Sequence, residues 1–141
     1  PIKVKWPNDL YLDNRKIGGI LGEVARGYLI LGVGVNASDL LQNDLGNIGF
    51  KTVEEINRLV RTALRQVVNE AMGNQNYPAR FAEVDFLHGC SISVRDKGDS
   101  FVGLARGIDR KGCLLIDRGD GSDIQVVCSG SVETFSGFRN T

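Results

Sequence analysis

Residues 5–23, KWPNDLYLDNRKIGGILGE, place an amide, a carboxylate and an ammonium group within a short span: Asn8, Asp9 and Lys16. Bare backbone follows at Gly18-Gly19, inside an otherwise apolar run. An acid and a lysine beside exposed backbone could hold and act on a small anionic ligand, or could simply decorate a core. Each residue also has an ordinary reading. Trp6-Pro7 could be a strand end with a packed indole, Asn8-Asp9 a turn, Lys16 a solvated hairpin lysine, and the glycine pair a bulge or tight crossing. Further on, GVGVN holds half of a nucleotide-loop pattern, but no G-x-G-x-x-G and no phosphate-loop lysine follow it.

The elements that must position these residues read clearly. Residues 2–35 are strands joined by tight turns, with turn chemistry at Asp13-Asn14 and again at Arg26-Gly27. YLILGVGV is a nearly continuous apolar strand of the kind buried on both faces. Residues 36–51 read as an irregular loop. Thr52 and Glu55 form a capping box. Beyond it Val53, Ile56, Val60, Ala63, Leu64, Val67 and Ala71 recur at helical spacing until Gly73. A shorter helix spans Pro78 to Phe86, with Phe81 and Val84 turned inward. After His88-Gly89 the period changes to short strands with Gly or Asp turns, as in a small antiparallel barrel, so a domain boundary is expected near 87–89.

Composition narrows the function classes. The 141 residues make one ordinary domain or two small ones, and 42% apolar content suffices for a core. Acidic and basic residues balance at 17 each, which argues against an extended nucleic-acid footprint but permits one local anion pocket. No run approaches the roughly 18 apolar residues of a membrane span, and no signal peptide opens the chain. Cys90, Cys113 and Cys128 lack any CxxC spacing, and with a single histidine they make no zinc set. They are expected to be small buried thiols of a reducing cytosol. The chain opens at Pro1 on an alternating strand that wants a partner, which suggests that an N-terminal portion is missing.

Taken together, KWPNDLYLDNRKIGGILGE, LILGVGVN, ARGIDRKGCLLI and SGSV resemble the bacterial biotin protein ligases, essentially from end to end. The resemblance implies an α+β fold. Residues 1–87 would be the C-terminal part of a mixed-sheet catalytic domain of the class II aminoacyl-tRNA synthetase and biotin ligase type, and residues 88–141 a small SH3-like barrel. It implies ATP and biotin as substrates, with magnesium, in a reaction that forms biotinyl-5′-adenylate and passes biotin to a lysine of a carboxylase carrier domain. Lys16 would sit between biotin carboxylate and phosphate, and Asp9 would accept a proton from the incoming amine. Gly18, Gly19 and Gly32 would leave room for biotin, with Leu21 and Val35 on the apolar side. Trp6, Asn8, Asn36 and Arg106 would lie toward the nucleotide, Asn8 and Asn36 also near magnesium.

The family's Gly/Arg adenylate loop, G-R-G-R-x-G, does not occur in these residues, nor does the helix-turn-helix of its repressor members. The resemblance therefore implies a cytoplasmic ligase portion that leaves a homodimer open and has neither nucleic acid nor membrane as partner. Two other readings compete: a non-catalytic protein-interaction module, and a lipoate ligase relative, which would lack this tryptophan motif and terminal barrel.

Overall fold

The computed structural model describes residues 1–36, 52–71 and 77–137. They divide into two compact units, Pro1–Lys3 with Asn8–Gln75 and Val4–Pro7 with Asn76–Thr141. The division falls ahead of the change of period at 87–89, because the second helix and the tryptophan segment group with the second unit.

A four-stranded sheet runs in the order β1 (Lys3–Lys5), β2 (Asp9–Leu12), β3 (Arg15–Ala25) and β4 (Tyr28–Val35). Two-residue loops join β2 to β3 and β3 to β4. Asp13 and Asn14 have φ of 47° and 63°, and Arg26 and Gly27 have 52° and 81°. Left-handed backbone at both central residues matches the twist of the flanking strands, so these turns set the register. In β3–β4, Gly19 lies opposite Gly34 and Leu21 opposite Gly32.

The apolar string YLILGVGV is not buried on both faces. Tyr28, Leu29 and Ile30 are 75%, 64% and 55% exposed, and Leu21 and Val24 on the neighbouring strand are also open. The physical reason is position: β4 is the terminal strand of its sheet, and over residues 20–32 the described residues cover neither face of the β3–β4 hairpin.

Helix α1 (Val53–Ala71) opens with the expected capping box. The Thr52 N–H donates to Glu55 Oε2 at 3.2 Å, and the Glu55 N–H donates to Thr52 Oγ1 at 3.2 Å. Ile56, Val60 and Leu64 form its half-buried stripe, whereas Val53 and Val67 are exposed. Replacing Thr52 by alanine is expected to cost about 1 kcal/mol. Thermal unfolding followed by circular dichroism at the helix band checks this, with Thr52→Ser retaining most of the stability. The loop expected at 36–51, after Asn36, and the terminating Gly73 lie outside the described residues.

In the second unit, α2 (Tyr77–Val84) turns Phe81 and Val84 partly inward. Strands β5 (Ser91–Asp96), β6 (Asp99–Ile108), β7 (Leu114–Asp117), β8 (Gln125–Val127) and β9 (Ser131–Ser136) form an antiparallel sheet in the order β8-β7-β6-β5-β9. Ile92 and Val94, Leu114 and Ile116 alternate inward along β5 and β7 and join Leu87, Ala105 and Val127 in the core. The segment Val4–Pro7 is built into this unit. The Phe86 N–H donates to Val4 O, and the buried Trp6 indole N–H donates to Gly112 O at 3.0 Å.

The cysteines depart from expectation. Cys90 is a buried free thiol, but Cys113 and Cys128 form a disulfide. Register explains the pairing: Leu114 lies opposite Val127, so the next opposed positions of the β7–β8 ladder are Cys113 and Cys128, with Cα atoms 4.1 Å apart.

Candidate active site

An open cavity of about 450 Å³ lies in the first unit, on the sheet formed by β2, β3 and β4. Its polar side is Asn8, Asp9 and Lys16; the remainder is Gly19, Ile20, Leu21, Gly32, Val33 and Gly34. Asp9 lies opposite Gly19, which lies opposite Gly34, so these three form one row across the sheet on one face.

Strand alternation alone would put Lys16, three residues before Gly19, on the other face. A bulge prevents this. Leu10 pairs with Gly18 but Tyr11 pairs with Lys16, leaving Ile17 as the extra residue on β3. Ile17 goes into the core, 2% exposed, and Lys16 returns to the face of Asp9 and Tyr11. There the Lys16 ammonium meets Asp9 Oδ1 at 2.6 Å, with the acid more buried than the base. Asn36 fixes the same segment from the end of β4. Its N–H donates to Ile17 O at 2.7 Å and its side-chain amide donates to Lys16 O at 3.1 Å.

Tyr11 is a site neighbour that sequence reasoning missed. It stands directly opposite Lys16, and burial, then the Asp9 carboxylate, raises its phenol above the usual value against the opposing pull of Lys16. The available signal was the period of two from Asp9 to Tyr11.

The glycines divide by cause. A Cβ on Gly18 would overlap the carbonyl oxygen of Gly34, so Gly18 is glycine because two backbones approach there. It faces Val35 across the ladder, on the side away from Gly19 and Gly34, and neither Gly18 nor Val35 lines the cavity. A Cβ on Gly19 would lie 3.3 Å from Asn8 O and 3.5 Å from Asp9 Oδ1, a tight fit. Gly32 and Gly34 differ: a Cβ on Gly32 makes only an ordinary contact at 3.9 Å, and one on Gly34 meets nothing within 4 Å. The fold leaves that space open, and both residues line the cavity.

The tool-like residues expected at the nucleotide fall in several places. Asn8 lines the cavity, with its carbonyl accepting from the Ile20 N–H at 2.8 Å. Asn36 braces Lys16 from outside the lining. Trp6 is 4% exposed in the core of the second unit, so its indole serves packing there. Arg106, on β6, is paired with Asp117 at 2.7 Å, and that bond holds the Asp117 carboxyl below its ordinary value.

Residues 1–38 match the model of the Biotin/lipoate A/B protein ligase family, and residues 88–134 match that of the Biotin protein ligase C terminal domain. The chain belongs to the biotin protein ligase family. It is 31% identical over 126 residues to the Biotin--[acetyl-CoA-carboxylase] ligase of Mycobacterium tuberculosis, covering 82% of this chain and 47% of that protein. To the Bifunctional ligase/repressor BirA of Escherichia coli it is 29% identical over 134 residues, covering 83% and 42% respectively. The chain thus spans less than half the length of these curated relatives. The apo biotin protein ligase from Aquifex aeolicus superposes with a TM-score of 0.80 at 20% identity, covering 94% of this chain and 65% of that one. That likeness supports the biotin ligase fold for the described residues. The ligase family thus accounts for both segments of the sequence, the Trp-Pro-Asn-Asp stretch and the terminal small sheet.

Proposed function

We propose that this chain is the C-terminal portion of a biotin protein ligase, with residues 1–87 contributing to the catalytic domain and residues 88–141 forming an SH3-like barrel. The observation that carries this is the Asp9–Lys16 pair held over a glycine-floored cavity, within a chain of this family. Structures of the Aquifex aeolicus enzyme with biotin and ATP support the choice of substrates. The name of the Mycobacterium tuberculosis relative supports a carboxylase carrier protein as the acceptor.

In the first step the biotin carboxylate attacks the α-phosphorus of ATP and pyrophosphate leaves. Two anions must approach, and a cation in a partly water-excluded site lowers that barrier. A lysine about 4 Å from a phosphate oxygen supplies roughly 4 kcal/mol at an effective dielectric of 20. In the second step the carrier lysine attacks the mixed anhydride. Its ammonium form is unreactive, and at pH 7 only about 0.04% of a lysine with pKa near 10.4 is neutral. Asp9 is the group in the cavity suited to take that proton.

Magnesium fits only as a companion of the nucleotide. Among the described residues no cluster of three or more His, Cys, Asp or Glu could hold a metal. Asn8 could add one amide oxygen to an ion carried by phosphates, and the ion would neutralise phosphate charge. Asn36 donates its amide N–H to Lys16 O, an arrangement that leaves its amide oxygen able to serve the same ion.

No helix among the described residues is long and apolar enough to cross a membrane; the need for ATP and for a carboxylase carrier protein is what goes with a cytoplasmic setting. Relatives more than twice the length of the matched span support a longer parent that also carries the Gly/Arg loop. The test is the full-length protein given ATP, magnesium and biotin, with pyrophosphate release and carrier labelling as readouts. Substitution of lipoate should give no product. Labelling with lipoate alone would move the protein to the lipoate ligases, and labelling with neither would favour the interaction-module reading.

A further inference from the structure

Lys16 and Asp9 cannot both play their assigned parts while they hold each other at 2.6 Å. A lysine bound to its own acid offers less charge to a ligand, and an acid bound to a lysine is a weaker proton acceptor. We infer that the ligand breaks this pair, so that Lys16 passes from Asp9 to the anionic oxygens of biotin and adenylate and Asp9 becomes the proton acceptor only after that handover. The inference rests on the biotin ligase reading and specifies the order of events in that same site.

Three features of the site carry it. Lys16 is the more exposed partner, so its flexible stem can turn toward the cavity, while Asp9, the less exposed one, stays in the strand. Both line one cavity, so the anion and Asp9 compete for a single ammonium. The backbone under Lys16 is pinned by Asn36 on one side and by the buried Ile17 on the other, so the exchange needs only side-chain rotation. Among the described residues Tyr11 is the further titratable group that interacts with both members of the pair, and with its phenol raised above the usual value it stays neutral in both arrangements.

After handover the chemistry balances. The carrier ammonium gives one proton to Asp9; its nitrogen then bonds to the anhydride carbonyl carbon. The carbon–oxygen bond to phosphate breaks, AMP leaves with that electron pair, and the second nitrogen proton passes to solvent.

The test is calorimetry of biotin, and of its neutral alcohol analogue, on the full-length protein. Releasing a partly exposed ion pair is worth up to about 1 kcal/mol, a factor of about five. Asp9→Asn is therefore expected to tighten biotin about twofold to fivefold and to leave the alcohol unchanged. In a Lys16→Met background the Asp9→Asn gain should vanish. Asp9→Ala, checked for folding by circular dichroism, should repeat the pattern. Unchanged or weaker biotin binding in both folded Asp9 variants overturns the handover. So does a gain that persists without Lys16, because it would be simple relief of repulsion. A wild-type protein that binds no biotin overturns the ligase reading itself, and the inference with it.

Discussion

Lys16→Ala in the full-length protein is expected to slow biotinyl-adenylate formation by a hundredfold or more. Removing one group aimed at developing charge typically costs about 3 to 4 kcal/mol of transition-state stabilisation, at 1.36 kcal/mol per factor of ten. Transfer from preformed adenylate should suffer less, because no pyrophosphate leaves in that step. Thermal stability should barely move, since the Lys16–Asp9 pair is partly exposed and such pairs contribute about 0 to 1 kcal/mol. Pyrophosphate release and carrier labelling from synthetic adenylate separate the two steps. Equal slowing of both would make Lys16 a general ligand anchor. No slowing of either would return it to the role of a solvated hairpin lysine.

The second large effect concerns two glycines that look alike in sequence. Gly34→Val places its Cβ where no described atom of the fold lies within 4 Å, on an extended strand that favours a β-branched residue. The protein should fold, and biotin affinity should drop by about a hundredfold, near 2.7 kcal/mol, within the range of an overpacked contact. Gly18→Ala drives a methyl group into the carbonyl of Gly34, and the two strands must part. That variant should lose stability as well as ligand. Melting curves and biotin calorimetry on both variants decide the matter, and a stable Gly18→Ala variant with a cavity of normal affinity would refute the division.

Much of this architecture was legible because its determinants are local. Thr52 and Glu55 announce a helix start by two reciprocal hydrogen bonds within one turn, and Asp13-Asn14 and Arg26-Gly27 announce two-residue hairpins. The biotin ligase resemblance singled out Asn8, Asp9 and Lys16, and the structure brings them to one cavity. What stayed hidden depends on register between strands. The Cys113–Cys128 pairing follows only once Leu114 is known to face Val127, and no spacing rule reveals that. The distinct roles of Gly18 and Gly34 likewise depend on which side of the ladder each occupies. The open faces of β4 were misread because an apolar run looks the same whether or not something covers it in the described residues.

The bulge at Ile17 makes the address of Lys16 a matter of counting. Between Gly19 and Lys16 the strand holds an odd number of steps, and the one irregular step at Leu10/Tyr11 turns odd into even. A β3 that lost the bulge at unchanged length would pair Ile17 with Tyr11 and point the Lys16 ammonium through the sheet, away from Asp9, with every residue of the site still in the sequence; deleting Ile17 itself would keep Lys16 opposite Tyr11. Substitutions around Ile17 can be graded by size and polarity, whereas a change of length between Lys16 and Gly19 acts through whether it removes the bulge or adds to it. Length changes in the Asp13-Asn14 turn lie outside the Lys16–Gly19 interval and leave that count untouched, so the turn, and not the bulge, is where an engineered tag or spacer can be tolerated at any length.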